Sequence, residues 1–300
     1  MNRFEFSDIN IQEELAPIEG TEFIGWADVH AAYEYRKANP IPTIKTPFRK
    51  MDGRLEWSVG GYHLLGGYSG HGKSTIALQC LLHAAKDHKV AIASLEMTKE
   101  NVAETAYKMV AGTHLVADEY ERKVAGWLQD RVMYYDRLDN IKPEEAIQAI
   151  IFAAKQGCKL ILLDCLFMIE GICQDPEAEQ RFTQTLSTVG KKFNVAIILV
   201  HHLRKPQGER GEKTMPSKSA FIGSSHMVNA SLSCSLIWRD FEVIDNREQN
   251  IPTDEDDPDV IFKVDKNRLF KFHGQMNLFE HPSRLLCETK HRKVNRVVDL

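Results

Sequence analysis

The chain has 300 residues, a formal net charge of −4 and 43% hydrophobic residues. That length holds one large or two ordinary domains, and the apolar share is that of an ordinary globular protein. The negative net charge excludes a surface that attracts nucleic acid as a whole, so any such binding falls to local basic loops.

Residues 1–20 are acidic and aperiodic, and read as a mobile tail or a partner-binding arm. They hold no apolar secretion core, and no later run approaches the roughly 18 apolar residues of a membrane span. A cytoplasmic protein without membrane contact is expected. Residues 24–39 read as a short helix. Trp26, Val29 and Tyr33 fall at i, i+3 and i+7, and Pro40 stops it. Its apolar stripe is narrow, so it either packs on its own domain or docks on a neighbouring subunit. Residues 41–61, with TPFRKMDGRLEWSVGG, form a lead-in segment with turns.

Next comes Gly67-Tyr68-Ser69-Gly70-His71-Gly72-Lys73-Ser74, which is G-x-x-x-x-G-K-S between an apolar run at 62–66 and an amphipathic run from Ser74. In a strand–loop–helix setting this is a phosphate-binding loop. Its glycines let the backbone turn tightly around an anion. Successive N–H groups and the following helix N-terminus then face a phosphate. Lys73 neutralises β- and γ-phosphate charge, and the Ser74 hydroxyl ligates Mg²⁺. The nucleotide cradle is expected to comprise Gly67, Ser69, Gly70, His71, Gly72, Lys73, Ser74 and Thr75.

Beyond it, residues 74–86 read as a helix and 89–94 (KVAIAS) as a short buried strand ending in Leu95-Glu96-Met97. Helices are expected at 101–110, 143–155 and 178–193, and strands at 132–136, 159–164 and 195–200. Residues 201–220 form a polar loop. Residues 231–238 are strand-like, and 245–259 is an acidic, exposed and mobile excursion with two prolines. Residues 260–287 read as strands and a hairpin with a turn at Gly274, closing the sheet edge. The tail HRKVNR is basic. Strands alternating with helices imply a mostly parallel sheet flanked by helices, an α/β fold. The six cysteines include no C-x-x-C pair; Cys80, Cys158 and Cys165 lie in or beside apolar runs, as reduced core thiols do.

In a parallel sheet the ligand lies at the carboxyl ends of the strands. Three such ends carry polar groups. Leu160-Ile161-Leu162-Leu163-Asp164 is four apolar residues and an acid, a Walker B pattern in which Asp164 holds Mg²⁺. Glu96 can polarise an attacking water as general base, or simply cap a helix. His201 and His202 end a third strand: one can hydrogen-bond a γ-phosphate, although a histidine pair alone favours partly exposed loop residues. The loop after them carries Arg204, Lys205, Arg210 and Lys213, placed to grip a phosphate backbone but diluted by Glu209 and Glu212. Lys266 and Arg268 point to one side of a strand; on residue type alone they are a solvated basic strand end.

Several motifs then fall in one order: GGYSGHGKST, ASLEMTKENVAE, KLILLDCLFMIEG, IILVHHLRKP, IGSSHMVNAS and KVDKNRLFKFHG. Over about residues 43–288 the chain resembles the hexameric RecA-like replicative helicases, the DnaB family, and more closely their phage and mitochondrial primase–helicase branch. The resemblance implies a RecA-like P-loop NTPase core and a ring, a hexamer, that translocates on single-stranded DNA with ATP and Mg²⁺. It implies Glu96 as catalytic base, Asp164 as Walker B acid and His202 as γ-phosphate sensor. Lys266 and Arg268 become a pair acting on the neighbouring protomer's nucleotide, with Arg268 as the finger. The loop after His202 and the segment at Gly223 and Ser224 line the channel, and Arg239 and Phe279 sandwich the adenine. The helix near Trp26 becomes a linker on the neighbouring protomer, dividing the chain into a tail and linker at 1–40 and an ATPase domain at 41–300. A separate primase or polymerase is the implied partner, in a cytoplasmic, host-cytoplasmic, mitochondrial or phage replication setting. Where the family often has Arg-Gly-Ser in a DNA loop, this chain has Ile222-Gly223-Ser224, and no primase module or bacterial-type N-terminal helical domain is expected. An alternative is a RecA-like ATPase that binds DNA or a replication partner, as a loader or regulator, without unwinding.

Overall fold

The structure, a computed structural model, describes residues 9–15, 23–205, 211–223, 225–254, 256–292, 294, 297–298 and 300. In chain order the elements begin with α1 (Ile11–Glu14), α2 (Trp26–Ala38), β1 (Thr43–Lys45), β2 (Glu56–Ser58), β3 (Gly61–Gly67), α3 (Lys73–Ala84), β4 (Val90–Ser94) and α4 (Lys99–Ala111). Then come α5 (Asp118–Gln129), β5 (Val132–Tyr134), α6 (Pro143–Lys155), β6 (Leu160–Asp164), α7 (Pro176–Phe193) and β7 (Ala196–His202). The chain closes with α8 (Ser225–Ala230), β8 (Ser233–Arg239), α9 (Phe241–Glu248), β9 (Val260–Asn267), β10 (Gly274–Glu280) and β11 (Leu286–Cys287).

One nine-stranded sheet runs β11-β10-β9-β8-β3-β7-β6-β4-β5, parallel from β8 to β5 and antiparallel from β8 to β11. The parallel strands are buried on both faces, so neighbouring residues feed two separate cores. Leu65, Leu162 and Ile198 pack with Ile76 and Leu81 of α3 on one side. Leu64, Leu163 and Leu199 pack with Ile150 of α6 and Leu186 of α7 on the other. Helix α7 lies close on β3: a Cβ at Gly190 would sit 2.4 Å from the Gly61 amide nitrogen, so only glycine fits there. The expected α/β class, mostly parallel sheet and antiparallel C-terminal strands are therefore all present.

Several expectations change. Residues 9–15 are not a free tail. Asn10 caps α1, the Ile9 carbonyl accepts from Gln148 Nε2 at 2.9 Å, and Glu14 pairs with Lys155, so the segment docks on α6. Helix α2 buries none of its residues, and Trp26 is 81% exposed, which removes the reading that it packs on its own domain. The acidic excursion is anchored at both ends. Its start is α9, and Asp259 is buried, accepting from Arg247 Nη1 (2.5 Å), Arg292 Nη2 (3.1 Å) and the Glu280 amide (2.7 Å). Arg247 also donates to the Asp254 and Asp257 carbonyls, wrapping the loop around one guanidinium. Gly274 is not a turn residue but opens β10, paired with Val264. Helices α5, α8 and α9 add elements beyond those expected.

Candidate nucleotide site

Strands β3, β7, β6 and β4 are consecutive in the sheet and parallel, so their carboxyl ends form one edge. The three strand ends singled out for polar groups, at Asp164, Glu96 and His201–His202, lie on it. The loop 67–74 leaves β3, and Gly72 caps α3 with φ +87°, a left-handed conformation that favours glycine. At Gly67 the need is space, since a Cβ would lie 2.8 Å from the Ile237 carbonyl oxygen. Ser69 and Gly70 are exposed at the loop tip, while Ser74 and Thr75 are half-buried in the first turn of α3. Lys73 folds back over the loop. Its Nζ donates to the Tyr68 carbonyl at 3.0 Å and to His202 Nδ1 at 3.4 Å, and burial pulls its ammonium below the ordinary lysine range.

The carboxylates divide by environment. Asp164 is 2% exposed and hydrogen-bonds Ser74, and burial pushes it up to about 6. Its Oδ1 is buried without a partner among the described residues. An orphaned acid oxygen beside a hydroxyl is a hard, all-oxygen donor set, which fits a Mg²⁺ ion. Glu96 is set beside this strand end because the Leu95 amide donates to the Asp164 carbonyl at 2.6 Å. Its Oε1 lies 3.1 Å from His202 Nε2 and 3.1 Å from Cys165 Sγ. The His202 hydrogen bond, helped by Cys165 and Lys73, holds the Glu96 carboxyl down to about 2. Cys165, Glu96, His202 and Lys73 thus form one continuous polar chain. By sequence Cys165 reads only as a core thiol; the signal for its place in the site is its position immediately after the strand-end acid.

The two histidines of β7 separate. His201 is not a partly exposed loop residue: it is fully buried, its Nε2 donates to the Ile222 carbonyl at 2.8 Å, and its ring stacks on Phe221. His202 faces the site. His71 also turns inward from the loop. Its Nδ1 accepts from the Arg239 amide at 2.9 Å, its ring meets Tyr68 and Phe241 edge-on, and its Nε2 lies 3.7 Å from Glu212. The Arg239 guanidinium lies against Gly72 and pairs with Glu280 at 2.6 Å. Phe279 is buried on β10, beside the Glu280 that pairs with Arg239.

The basic loop is pinned at its base, where the Arg204 amide donates to the Ala220 carbonyl at 2.6 Å. Arg204, Lys205 and Lys213 are present, but Lys205 pairs with Glu212 (2.9 Å) and Lys213 with Glu242 (3.3 Å). Arg210 and Ser224 lie outside the described residues; Gly223 has φ +102°. Lys266 and Arg268 do reach one side together, towards the last turn of α8. Lys266 Nζ donates to the carbonyls of Val228 (2.5 Å), Asn229 (2.8 Å) and Ser231 (2.6 Å), and Arg268 donates to Asn229. Burial, with Arg268 beside it, lowers Lys266 to about 8.

A glycine-rich loop closed by lysine and serine, a helix N-terminus and an acid on a neighbouring parallel strand define a P-loop nucleotide site in a RecA-like fold. The chain belongs to the AAA domain family, whose model matches residues 45–208. Among solved structures it is similar to the ATPase domain of G40P, at 13% identity and a TM-score of 0.69, covering 89% of this chain and 99% of that one. It is also similar to a DnaB-like replicative helicase described with its interactions with primase, at 15% identity and a TM-score of 0.66, over 87% of this chain and 66% of that one. The RadB recombinase matches at 14% identity and a TM-score of 0.55, over 80% and 97%. No curated protein sequence matches the chain. At these identities the likeness is one of fold. No described helix is long and apolar enough to cross a membrane.

Proposed function

We propose that the chain is the motor of a replicative DNA helicase, a homo-oligomeric, hexameric ring that couples ATP hydrolysis to movement on single-stranded DNA. The observation that carries this is the polar chain from Lys73 through His202 to Glu96, because His202 is also the residue from which the basic loop departs. A group that touches the phosphate-binding lysine and the general base, and then leads into a basic loop, is placed to report hydrolysis to a bound strand. The fold shared with helicase ATPase domains supports the reading.

In this reading the loop 67–75 cradles the phosphates, Lys73 neutralises them, and Ser74 and Asp164 hold Mg²⁺. The ion supplies charge neutralisation at the phosphates. Glu96, kept ionised by His202, accepts the proton of the attacking water. Arg239 lies towards the base, with Phe279 behind it. Residues 41–300 form the ATPase domain, residues 9–15 pack on its α6, and α2 is the linker. Helix α2, uncovered on its own subunit, docks on the next protomer. Arg268, exposed at the end of β9, reaches the neighbour's nucleotide with Lys266 behind it. Arg204, Lys205, Lys213 and Gly223 line the channel, and a separate primase or polymerase is a partner, in the cytoplasm.

The second reading, an ATPase that loads or regulates without unwinding, is favoured by one observation: Lys205 and Lys213 are already paired with Glu212 and Glu242. ATPase assays with and without single-stranded DNA, followed by unwinding of a forked duplex, separate the two. Lys73→Ala should abolish hydrolysis, whereas Arg268→Ala should abolish it while nucleotide still binds. Mixed rings of the two variants should recover activity, because some interfaces then hold an intact Lys73 and an intact Arg268. Mixed rings without recovery refute the shared site.

A further inference from the structure

Beside the hard-oxygen pair Ser74 and Asp164, the same edge carries a second donor set of different character. Cys165 Sγ, Glu96 Oε1 and one ring nitrogen of His202 all lie within 4.8 Å of one another. Sulfur, nitrogen and one carboxylate oxygen are the donors that select zinc over magnesium. We propose that these three side chains form a zinc-binding site, distinct from the Mg²⁺ donors, that switches hydrolysis off by occupying the general base. The binding stands on this geometry alone; its effect on hydrolysis rests on the role proposed for Glu96.

The spacing suits a tetrahedral ion. Bond lengths to zinc place its oxygen and nitrogen ligands about 3.3 Å apart, and oxygen and sulfur about 3.5 Å apart. The corresponding distances here are 3.1 Å and 3.1 Å, each short of the ideal by a few tenths of an ångström, and the third pair, His202 nitrogen and Cys165 sulfur, lies within 4.8 Å and closes on the ion as it binds. The ligands come from three adjacent strand ends, a rigid frame that fixes their separation. Glu96 and His202 are partly exposed to solvent, so an ion can reach them, while Cys165 is buried.

The protons balance. Lys73 can only donate, so His202 accepts from it at Nδ1 and donates from Nε2 to Glu96. Zinc takes the place of the Cys165 thiol proton, which leaves to solvent, and of the His202 Nε2 proton, which moves to Nδ1 as Lys73 swings off. Zinc thus displaces the hydrogen bonds that hold Glu96, and the net change is one proton released per ion bound. Phosphate drawing Lys73 away from His202 would favour the same rearrangement.

Cobalt(II) is the probe, because a thiolate ligand gives it a sulfur-to-metal charge-transfer band. Titrated into the nucleotide-free protein, cobalt should develop that band at one ion per chain, and zinc should bleach it. Cys165→Ser should lose the band, while Cys173→Ser and Cys234→Ser keep it. His202→Ala should keep the band but weaken cobalt binding by more than about tenfold, at least the cost of losing a group that merely orients a ligand. That variant keeps the proposal testable if the serine variant fails to fold. A wild-type protein without the band, or a band that survives Cys165→Ser, overturns the site. The readout needs no hydrolysis, so it succeeds or fails independently of the ATPase reading.

Discussion

His63 lies inside β3, on the strand that leads into the phosphate loop, and is 1% exposed. Its Nε2 donates to the Ser58 carbonyl at 2.9 Å, its Nδ1 lies 2.8 Å from Ser233 Oγ, and the Trp57 indole meets it edge-on at 5.2 Å. Burial pulls its pKa down from 6.5 to about 4, against the pull of the Ser58 carbonyl. Between those values the unfolded chain binds a proton that the folded chain refuses, so stability falls as pH falls. The contribution is fully present above the unfolded pKa and is lost as pH drops through the folded one. Integrated over the two pKa values, the loss is about 2 kcal/mol by about pH 5 and about 3 kcal/mol by about pH 4. His63→Gln, which cannot titrate, should remove that slope even though it lowers stability near neutrality by breaking hydrogen bonds. Urea unfolding at a series of pH values, followed by tryptophan fluorescence, measures both curves. The wild-type curve should descend more steeply than the variant's by the amounts above. His201 and His83, also held down to about 4, act equally in both proteins and cancel in the difference. Parallel curves would show that His63 is protonated in the fold, and that burial does not govern this part of the sheet.

Three further outcomes follow from other parts of the molecule. Glu96→Gln should slow hydrolysis by roughly a hundredfold or more, the usual worth of a general base, with nucleotide binding retained in an equilibrium binding assay. Gly66→Ala drives a Cβ to 2.4 Å from the Phe221 ring, which closes the base of the basic loop with Leu203. Overpacking there should cost about 2 kcal/mol, and Phe221→Leu in the same chain should recover part of the loss in thermal melting. Asp259→Asn removes the charge that gathers Arg247 and Arg292 in a buried position. It should cost about 3 kcal/mol, or roughly 5 °C in melting temperature for a chain of this length, and should raise amide exchange in residues 249–258.

The parts of the site that could be read from sequence are those whose meaning is local. The G-x-x-x-x-G-K-S spacing, the apolar run ending in Asp164 and the run ending in Glu96 each carry their chemistry within a few residues. The sheet then brings them together, because parallel strands present all their carboxyl ends on one edge. What escaped reading depends on partners far away in the chain. Nothing near Asp259 announces Arg292, and nothing near Cys165 announces Glu96, 69 residues earlier. Lys266 and Arg268 show the same limit. Alternation placed them on one side, but a register irregularity opposite Cys234 and Ser235 decides where that side points, and it points at the carbonyls ending α8. Helix α5 is a different case. Tyr120, Val124, Trp127 and Leu128 repeat at helical spacing and pack on the core, so its signal is present, spread over a polar stretch.

The trans role of Arg268 therefore rests on a choice between two sets of acceptors. In the single chain the last turn of α8 supplies carbonyls to both cations, which satisfies them without a second subunit. A neighbour's phosphate would have to compete with those carbonyls, and a formal negative charge outbids a neutral carbonyl for a guanidinium. Lys266, half-buried and held by three carbonyls, has less freedom to leave than Arg268, which is exposed and donates to the Asn229 carbonyl. In the proposed ring the pair would then have unequal tasks: Lys266 fixes the end of α8, and Arg268 would be the cation that crosses. Lys266→Met should then lower the melting temperature of the isolated chain, whereas Arg268→Ala should leave it nearly unchanged and act only on hydrolysis in assembled rings. If Arg268→Ala destabilises the lone chain as much as Lys266→Met does, both residues are structural and the crossing cation must be sought elsewhere.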